Sequence, residues 1–230
     1  GGGKGSPEEI GSNIKKAGEL GVNVAMVLIP TQYAGDEAGA LRFMLSVIEL
    51  AQDVDIIMQN APTPIGAGLD SEILARIVSA SPSIKYVKEE ALPSGPRITA
   101  LNDAAADHLI GVIGGGGARY VIDELNRGAV AAMPAAEITD IHVKMWNACK
   151  RGDVSEARNL YMRSLPLLVI QTIYRMRLTK YALTKRGILS NSIVRAPLPE
   201  FDAFDEVELC TQLESLSNCF DLAPLTPVAL

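Results

Sequence analysis

The regular return of short strand-like runs constrains the fold of this 230-residue chain more than any other feature. The run at residues 24–30 is continuously apolar, as in strands that are buried on both faces. Similar runs lie at residues 56–62, 84–90, 109–113 and 128–134, with helical patterns between them. Strands that return after roughly 25 to 30 residues, each followed by a helix, are typical of parallel sheets. The spacing therefore predicts an α/β fold built of βα units.

Beyond residue 135 the strand-like runs stop and only helical patterns follow. We therefore expect a βα portion at residues 1–135 and a helical region at residues 136–230. The helical region is predicted to contain helices at residues 136–150, after Asp153, at residues 165–184 and after Asp202. At the other end, Ser6 and Glu9 match a capping box around Pro7, which predicts the first helix.

Charge and cysteine content exclude several classes of partner. The formal net charge is −6 and the pI is near 5.0, whereas nucleic acids and anionic membranes require clustered basic residues. Three cysteines form no CxxC pair and only two histidines are present, so neither a metal site nor a disulfide framework is expected. The opening residues lack the pattern of a secretory signal, and the apolar run at 165–174 is too short to span a bilayer. We expect a cytoplasmic protein that binds a small metabolite, with no nucleic acid or membrane partner.

Lys88 lies in the strand-like run at 84–90, where a sheet core would normally hold an aliphatic side chain. Alternation along a strand places Ile84, Tyr86, Lys88 and Glu90 on one face. Burial favours the neutral form of a lysine, and a neutral amine attacks a ketone to form an imine. The alternative is a lysine at a strand end that reaches water or pairs with Glu89 or Glu90.

Several segments, in the same order and over nearly the whole chain, resemble the dihydrodipicolinate synthase/N-acetylneuraminate lyase family. They are Ser83-Ile84-Lys85-Tyr86-Val87-Lys88-Glu89, the preceding Gln59-Asn60-Ala61-Pro62, Gly128-Ala129-Val130 with Pro134 and Gly152-Asp153, Leu165-Pro166-Leu167, Lys180-Tyr181-Ala182-Leu183, Arg186-Gly187 and Arg195-Ala196-Pro197-Leu198-Pro199.

The resemblance implies a TIM (β/α)8-type barrel with a C-terminal helical extension. It identifies Lys88 as the imine-forming lysine of the sixth barrel strand, and residues 1–135 as about strands three to eight. The implied protein is a Schiff-base-forming lyase, an aldolase or dehydratase, that acts on a 2-oxo acid such as pyruvate or a 2-keto-3-deoxy sugar acid. Such an enzyme needs no metal or organic cofactor, and the family suggests a homotetramer.

Two departures from the family pattern keep alternatives open. The family usually has a proton-relaying tyrosine where this chain has Gln59, and an amide cannot relay protons by ionising. This departure favours the sugar-acid branch over dihydrodipicolinate synthase proper, which remains an alternative. In addition, Gly1-Gly2-Gly3-Lys4-Gly5 resembles the end of strand three, so the resemblance implies that this sequence lacks the first two βα units. An inactive truncated barrel that serves as a binding or assembly partner is the other alternative.

The remaining candidate site residues follow the strands. Gln59 and Asn60 are candidate substrate contacts at the carboxyl end of a strand, where barrel active sites lie, or else amides that fix a loop. Tyr33 follows the preceding strand, near the position of family tyrosines that contact the site or a neighbouring subunit. Gly114 and Gly115 would let backbone amides approach an anionic group, or else form a loose turn. We expect Glu89 and Glu90 to be mostly solvated, and His108 and His142 to be surface or packing residues.

Overall fold

A computed structural model of the chain describes residues 2–221. Gly1, which belongs to the predicted end of strand three, and residues 222–230 of the predicted helical region lie outside the described residues. The chain divides into two compact units, Gly1–Gly116 with Asp123–Met133 and Gly117–Ile122 with Pro134–Leu230. The predicted limits at residues 1–135 and 136–230 stay a prediction, and the two units are described separately below.

Helices and strands alternate along residues 2–133, as the spacing predicts. The elements are α1 (Pro7–Glu19), β1 (Val24–Leu28), α2 (Glu37–Ala51), β2 (Asp55–Asn60), α3 (Ser71–Ser79), β3 (Ile84–Glu89), α4 (Ser94–Ala105), β4 (Gly111–Gly114), α5 (Val121–Asn126) and β5 (Ala131–Ala132). Short 3-10 helices, Thr31–Tyr33 and Gly116–Ala118, follow β1 and β4. The capping box at Ser6 and Glu9 is confirmed, because each side chain bonds the backbone N–H of the other residue.

The strands within residues 2–221 form one parallel sheet in the order β1-β2-β3-β4-β5. On one face of the sheet, strand side chains pack with apolar side chains of α1–α4 in a buried cluster. The strand members of this cluster include Val27, Ile56, Met58, Ile84 and Val112. The alternate residues, such as Met26, Leu28 and Ile57, are only half-buried. The sheet therefore has a helix-covered face and a second, less covered face, as alternation along strands requires.

The register of β3 changes at Lys85, which corrects one prediction. Ile56 of β2 pairs with Ile84, whereas the next residue, Ile57, pairs with Tyr86. Lys85 is thus an extra residue, as in a β-bulge, and strict alternation is interrupted there. Ile84 belongs to the buried helix-side cluster and does not share a face with Tyr86 and Lys88.

The last strand is shorter than predicted. Only Ala131–Ala132 is regular strand, although the predicted run covers residues 128–134. Backbone bonds from Val130 to Val112 and from Met133 to Gly114 extend the pairing by one residue at each end. Gly128, with a φ of 88°, takes a conformation that no strand uses, and this turn moves the start of pairing toward Val130.

The second unit is helical. It contains a 3-10 helix (Ala136–Ile138), α6 (Thr139–Lys150), α7 (Val154–Tyr174), α8 (Met176–Lys185), α9 (Ala203–Ser215) and a 3-10 helix (Ser217–Cys219). The predicted apolar stripe of Ile138, Ile141 and Met145 is buried. The predicted helix at 165–184 is wrong, because α7 runs through Pro166 and ends at Tyr174, and the next residue, Arg175, has a φ of 47°. None of the helices in residues 2–221 combines the length and apolar character needed to cross a bilayer.

Candidate active site

A single row of paired residues crosses the carboxyl end of the sheet. Gln59 of β2 pairs with Lys88 of β3, and Lys88 in turn pairs with Ile113 of β4. Leu28 of β1 pairs with Gln59 and extends the row. Residues that are aligned across a parallel sheet point to the same face. The pairing therefore places the side chains of Gln59 and Lys88 side by side at the end of the strands where α/β enzymes bind their ligands.

Lys88 is largely withdrawn from water, with only 8% of the residue exposed. Its Nζ lies 3.0 Å from Oε1 of Glu90 in an ion pair. Lysines are rarely buried to this extent without a partner. The structure thus combines the two sequence hypotheses, because Lys88 is enclosed and is also paired with a carboxylate. Its predicted role as the imine-forming residue stays a prediction.

Gln59 shares the same carboxylate oxygen. Its Nε2 donates a hydrogen bond of 2.5 Å to Oε1 of Glu90, so a single oxygen accepts from both Gln59 and Lys88. The amide of Gln59 is therefore directed at Glu90. The structure thus links Gln59 to Lys88 through Glu90, which the sequence analysis named only as an alternative partner of Lys88. A substrate contact of Gln59 stays a prediction.

Glu90 is held by the backbone on two sides. Its N–H donates to the carbonyl oxygen of Asn60 at 2.9 Å, which continues the β2–β3 pairing past the end of the strand. On the other side, Gly115 follows β4, and a Cβ on Gly115 would lie 2.2 Å from Cγ of Glu90. The expectation that Glu90 is mostly solvated is wrong, because only 22% of its side chain is exposed. The sequence signal that could have identified Glu90 was its position directly after Lys88 and Glu89.

Asn60 and Glu89 form a separate buried network. Nδ2 of Asn60 donates to both Glu89 oxygens at 3.0 and 3.1 Å and to the carbonyl of Leu69, while Oδ1 accepts from the N–H of Leu69. Both residues are completely buried. The amide of Asn60 thus ties down the loop after β2, which was the alternative to a substrate contact, and the structure does not bring it to Lys88.

Glu89 is the charged centre of this network, and the expectation that it is solvated is wrong. Its carboxylate accepts from the N–H of Ala91 at 2.7 Å and pairs with Nε of Arg97 at 3.2 Å. Burial raises the pKa of the Glu89 carboxyl, while Arg97, Asn60 and Ala91 oppose this effect. Two consecutive carboxylates therefore serve different faces of the sheet, because Glu89 faces the buried network and Glu90 faces Lys88.

Gly114 and Gly115 each stand against a carboxylate of this chain. A Cβ on Gly114 would lie 2.2 Å from Oε2 of Glu124, and one on Gly115 would meet Glu90. Glu124 is buried and accepts a 2.7 Å hydrogen bond from the Ser94 hydroxyl. Burial raises the pKa of the Glu124 carboxyl. Because glycine has no side chain, these two positions leave space for the side chains of Glu124 and Glu90. A contact of these glycines with an anionic ligand stays a prediction.

Tyr33 and Tyr86 make contacts other than the Lys88–Glu90 ion pair. The Tyr33 ring packs on Phe43 of α2, with centroids 5.3 Å apart. Tyr86 pairs with Ile57 and Gly111, one row below Lys88 along the same face. The substrate contact predicted for Tyr33 has no support in this placement and stays a prediction.

Metal-ligating side chains are scattered. Residues 2–221 contain no group of three or more His, Cys, Asp or Glu side chains placed to hold a metal ion. His108 is exposed, as expected, whereas both ring nitrogens of His142 are buried and lack hydrogen-bond partners in this part of the chain. The chemistry available beside Lys88 is therefore that of an amine, a carboxylate and an amide.

Comparison with known proteins gives a consistent result. The sequence profile of the Dihydrodipicolinate synthetase family matches residues 2–215. The dihydrodipicolinate synthase of Rhodopseudomonas palustris has a similar structure, with a TM-score of 0.84 at 24% identity over 93% of this chain and 72% of that one. The likeness confirms the predicted α/β fold of the TIM-barrel type, although the sheet within residues 2–221 has two edge strands, β1 and β5.

Two curated relatives carry different names. The 4-hydroxy-tetrahydrodipicolinate synthase of Methanosphaerula palustris is 25% identical over 82% of this chain. The L-2-keto-3-deoxyarabonate dehydratase of Azospirillum brasilense is 26% identical over 84% of this chain. The chain spans 64% of the length of the first relative and 63% of the second.

Proposed function

The chain belongs to the Dihydrodipicolinate synthetase family, and on this premise we propose that it is a Schiff-base-forming lyase with Lys88 as the imine-forming residue. The observation that carries the proposal is the enclosed amine of Lys88 at the carboxyl end of β3, beside Gln59 and Glu90. An exposed lysine would carry no such argument, because exposed lysines are common and unreactive.

The chemistry follows from the amine. Lys88 attacks the ketone carbon of a 2-oxo acid, a C–N bond forms, and the ketone oxygen leaves as water. The resulting protonated imine withdraws electrons and stabilises a carbanion at C3 of the bound acid. That single intermediate serves aldol cleavage, aldol addition or loss of a β-hydroxyl group. The enzyme class is therefore a carbon–carbon or carbon–oxygen lyase that requires no metal or organic cofactor.

For the substrate we propose a 2-oxo acid, either pyruvate or a 2-keto-3-deoxy sugar acid. The names of the relatives support this class, because one is a 4-hydroxy-tetrahydrodipicolinate synthase and the other a 2-keto-3-deoxy sugar acid dehydratase. Gln59 favours the sugar-acid branch, since its amide has no ionisable proton to relay. Dihydrodipicolinate synthase proper remains the second candidate.

Borohydride trapping tests the proposal. The chain is incubated with pyruvate, reduced and mapped by peptide mass spectrometry, and we expect a reduced pyruvyl adduct on Lys88. Lys88→Ala should give no adduct. Lys85→Ala is the matched control, because Lys85 lies in the same strand at the bulge and outside the row of Gln59; this variant should still be labelled on Lys88.

The alternative to an enzyme is an inactive barrel that serves as a binding or assembly partner. Cooperatively folded protein that gives no adduct with pyruvate or with 2-keto-3-deoxy sugar acids would refute the lyase and favour this alternative. A cytoplasmic location and a homotetramer complete the proposal, and light scattering coupled to size exclusion measures the oligomer directly.

A further inference from the structure

We propose that Glu90 is the proton-transfer residue of the Lys88 site. This inference rests on the proposed function, because it assigns a role in the chemistry of the Lys88 imine. It starts from the ion pair in which Oε1 of Glu90 lies 3.0 Å from Nζ of Lys88, the atom that would react.

The environment of Glu90 suits proton transfer. Oε1 accepts from Lys88 and from Gln59, whereas Oε2 accepts no hydrogen bond from any side chain or N–H group within residues 2–221. One oxygen thus anchors the carboxylate and the other stays available to a substrate atom. The Glu90 side chain is 22% exposed, so water also reaches it.

Other ionisable groups near β3 are directed elsewhere. Glu89 is engaged by Asn60, Ala91 and Arg97 on the opposite face. Tyr86 lies one row away from Lys88 along the strand. Gln59 touches Glu90, but an amide neither gains nor loses a proton at neutral pH. Among the described residues, Glu90 is therefore the acid–base group in contact with the reacting amine.

The backbone holds Glu90 more firmly than is needed for a carboxylate that only neutralises the charge of Lys88. The N–H of Glu90 is bonded to the carbonyl oxygen of Asn60, and the Glu90 side chain packs so closely on Gly115 that a Cβ there would lie 2.2 Å from its Cγ. An ion pair at the surface would tolerate a mobile carboxylate. A group that transfers protons must instead be held within hydrogen-bond reach of the atoms that give and receive them.

The proposed steps conserve protons and charge. Glu90 accepts a proton from the Lys88 ammonium, and the neutral amine adds to the ketone; its extra proton moves to the oxygen and gives a carbinolamine. The protonated Glu90 then donates to the hydroxyl group, the C–O bond breaks, and water leaves as the C=N bond forms. Glu90, again a carboxylate, removes a proton from C3, and the electron pair of that C–H bond neutralises the iminium as an enamine.

The test separates imine formation from proton transfer at C3. Borohydride trapping after long incubation with saturating pyruvate reports the imine. Proton NMR in deuterium oxide monitors the loss of the pyruvate methyl signal, and this loss reports proton removal from C3. In Glu90→Gln we expect the adduct on Lys88 to form more slowly but to reach the same final level, because water replaces Glu90 in imine formation during the long incubation. Methyl exchange should slow by about 100-fold or more. Glu49→Gln is the matched control, since it makes the same change on an exposed position of α2, and it should exchange like the unmodified chain.

Two further variants complete the test. Glu90→Asp keeps a carboxylate and should retain more exchange than Glu90→Gln. In Glu90→Ala, added formate should restore exchange in proportion to its concentration, because a small carboxylate fills the space that the side chain leaves. Thermal unfolding of each variant confirms that it is folded.

Each outcome decides between defined possibilities. Normal exchange in folded Glu90→Gln overturns the role of Glu90 and leaves the lyase standing. Loss of both adduct and exchange in folded Glu90→Gln and Glu90→Ala, with no formate rescue, also overturns it, because compensation of the Lys88 charge then explains the result. No adduct from the unmodified chain overturns the proposed function and this inference together.

Discussion

Replacement of Gly115 by alanine is the sharpest structural test of the site. A Cβ at this position would lie 2.2 Å from Cγ of Glu90 and 3.1 Å from the backbone oxygen of Glu89. Ordinary contact begins near 3.4 Å, so Cγ of Glu90 would have to move by roughly 1.2 Å. A shift of that size removes Oε1 from Nζ of Lys88, which now lies 3.0 Å away.

The magnitude of each effect follows from this displacement. Overpacking in a well-packed region lowers the free energy of unfolding by about 1–3 kcal/mol. Misplacement of a reacting group by about 1 Å reduces the rate by about 100-fold. Because the φ of Gly115 is not positive, alanine brings no backbone strain and its effect is confined to the clash. Urea unfolding measures the stability, and pyruvate methyl exchange measures the rate.

A double variant isolates the contact with Glu90. Glu90→Ala removes Cγ, so Gly115→Ala in that background should lower the free energy of unfolding by less than about 1 kcal/mol. The stability lost in the single variant should therefore be largely recovered, while exchange stays low. If Gly115→Ala alone is as stable and as active as the unmodified chain, the packing of Gly115 against Glu90 does not position the carboxylate.

Two other predictions concern stability. The Glu89 carboxylate accepts from N–H groups of Asn60 and Ala91 and pairs with Arg97, whereas the amide of Glu89→Gln is partly a donor. This variant should therefore lower the free energy of unfolding in urea by about 1–3 kcal/mol. A change below about 0.5 kcal/mol would contradict the network. Burial lowers the pKa of His142 from 6.5 to about 4, so the unfolded chain binds this proton first as the pH falls. The free energy of unfolding should therefore decrease by up to roughly 3 kcal/mol between pH 6.5 and pH 4, and urea titrations should show that His142→Phe flattens this decrease.

Much of the fold follows from local sequence signals. Ser6, Pro7 and Glu9 set the start of α1, and the apolar run before Pro30 sets β1, because capping and continuous burial act over a few residues. The break between α7 and α8 does not follow in this way. The sequence predicted a new helix from residue 165, yet α7 continues through Pro166 and the chain turns instead at Arg175.

The candidate site was only partly predictable for a similar reason. Lys88 and Gln59 carry a recognisable pattern, and parallel pairing of β2 with β3 brings them together. Glu90 was missed because carboxylates at strand ends are usually solvated. Its enclosure depends on Gly115, which lies 25 residues further along the chain and approaches only through the pairing of β3 with β4. The bulge at Lys85 likewise depends on the register with β2 and has no local signal.

The two consecutive carboxylates show how the buried network supports the site. Glu89 binds Asn60 and Arg97 on the helix-covered face, and this fixes the end of β3 against the end of β2. The next residue, Glu90, bonds through its N–H to the backbone of Asn60, so the same anchor sets the position of its carboxylate. Loss of Glu89 should therefore disturb both stability and the Lys88 ion pair, whereas loss of the Glu90 carboxylate should disturb mainly the chemistry. Strand alternation assigns the two roles, because Glu90, two residues after Lys88, shares its face and Glu89 does not.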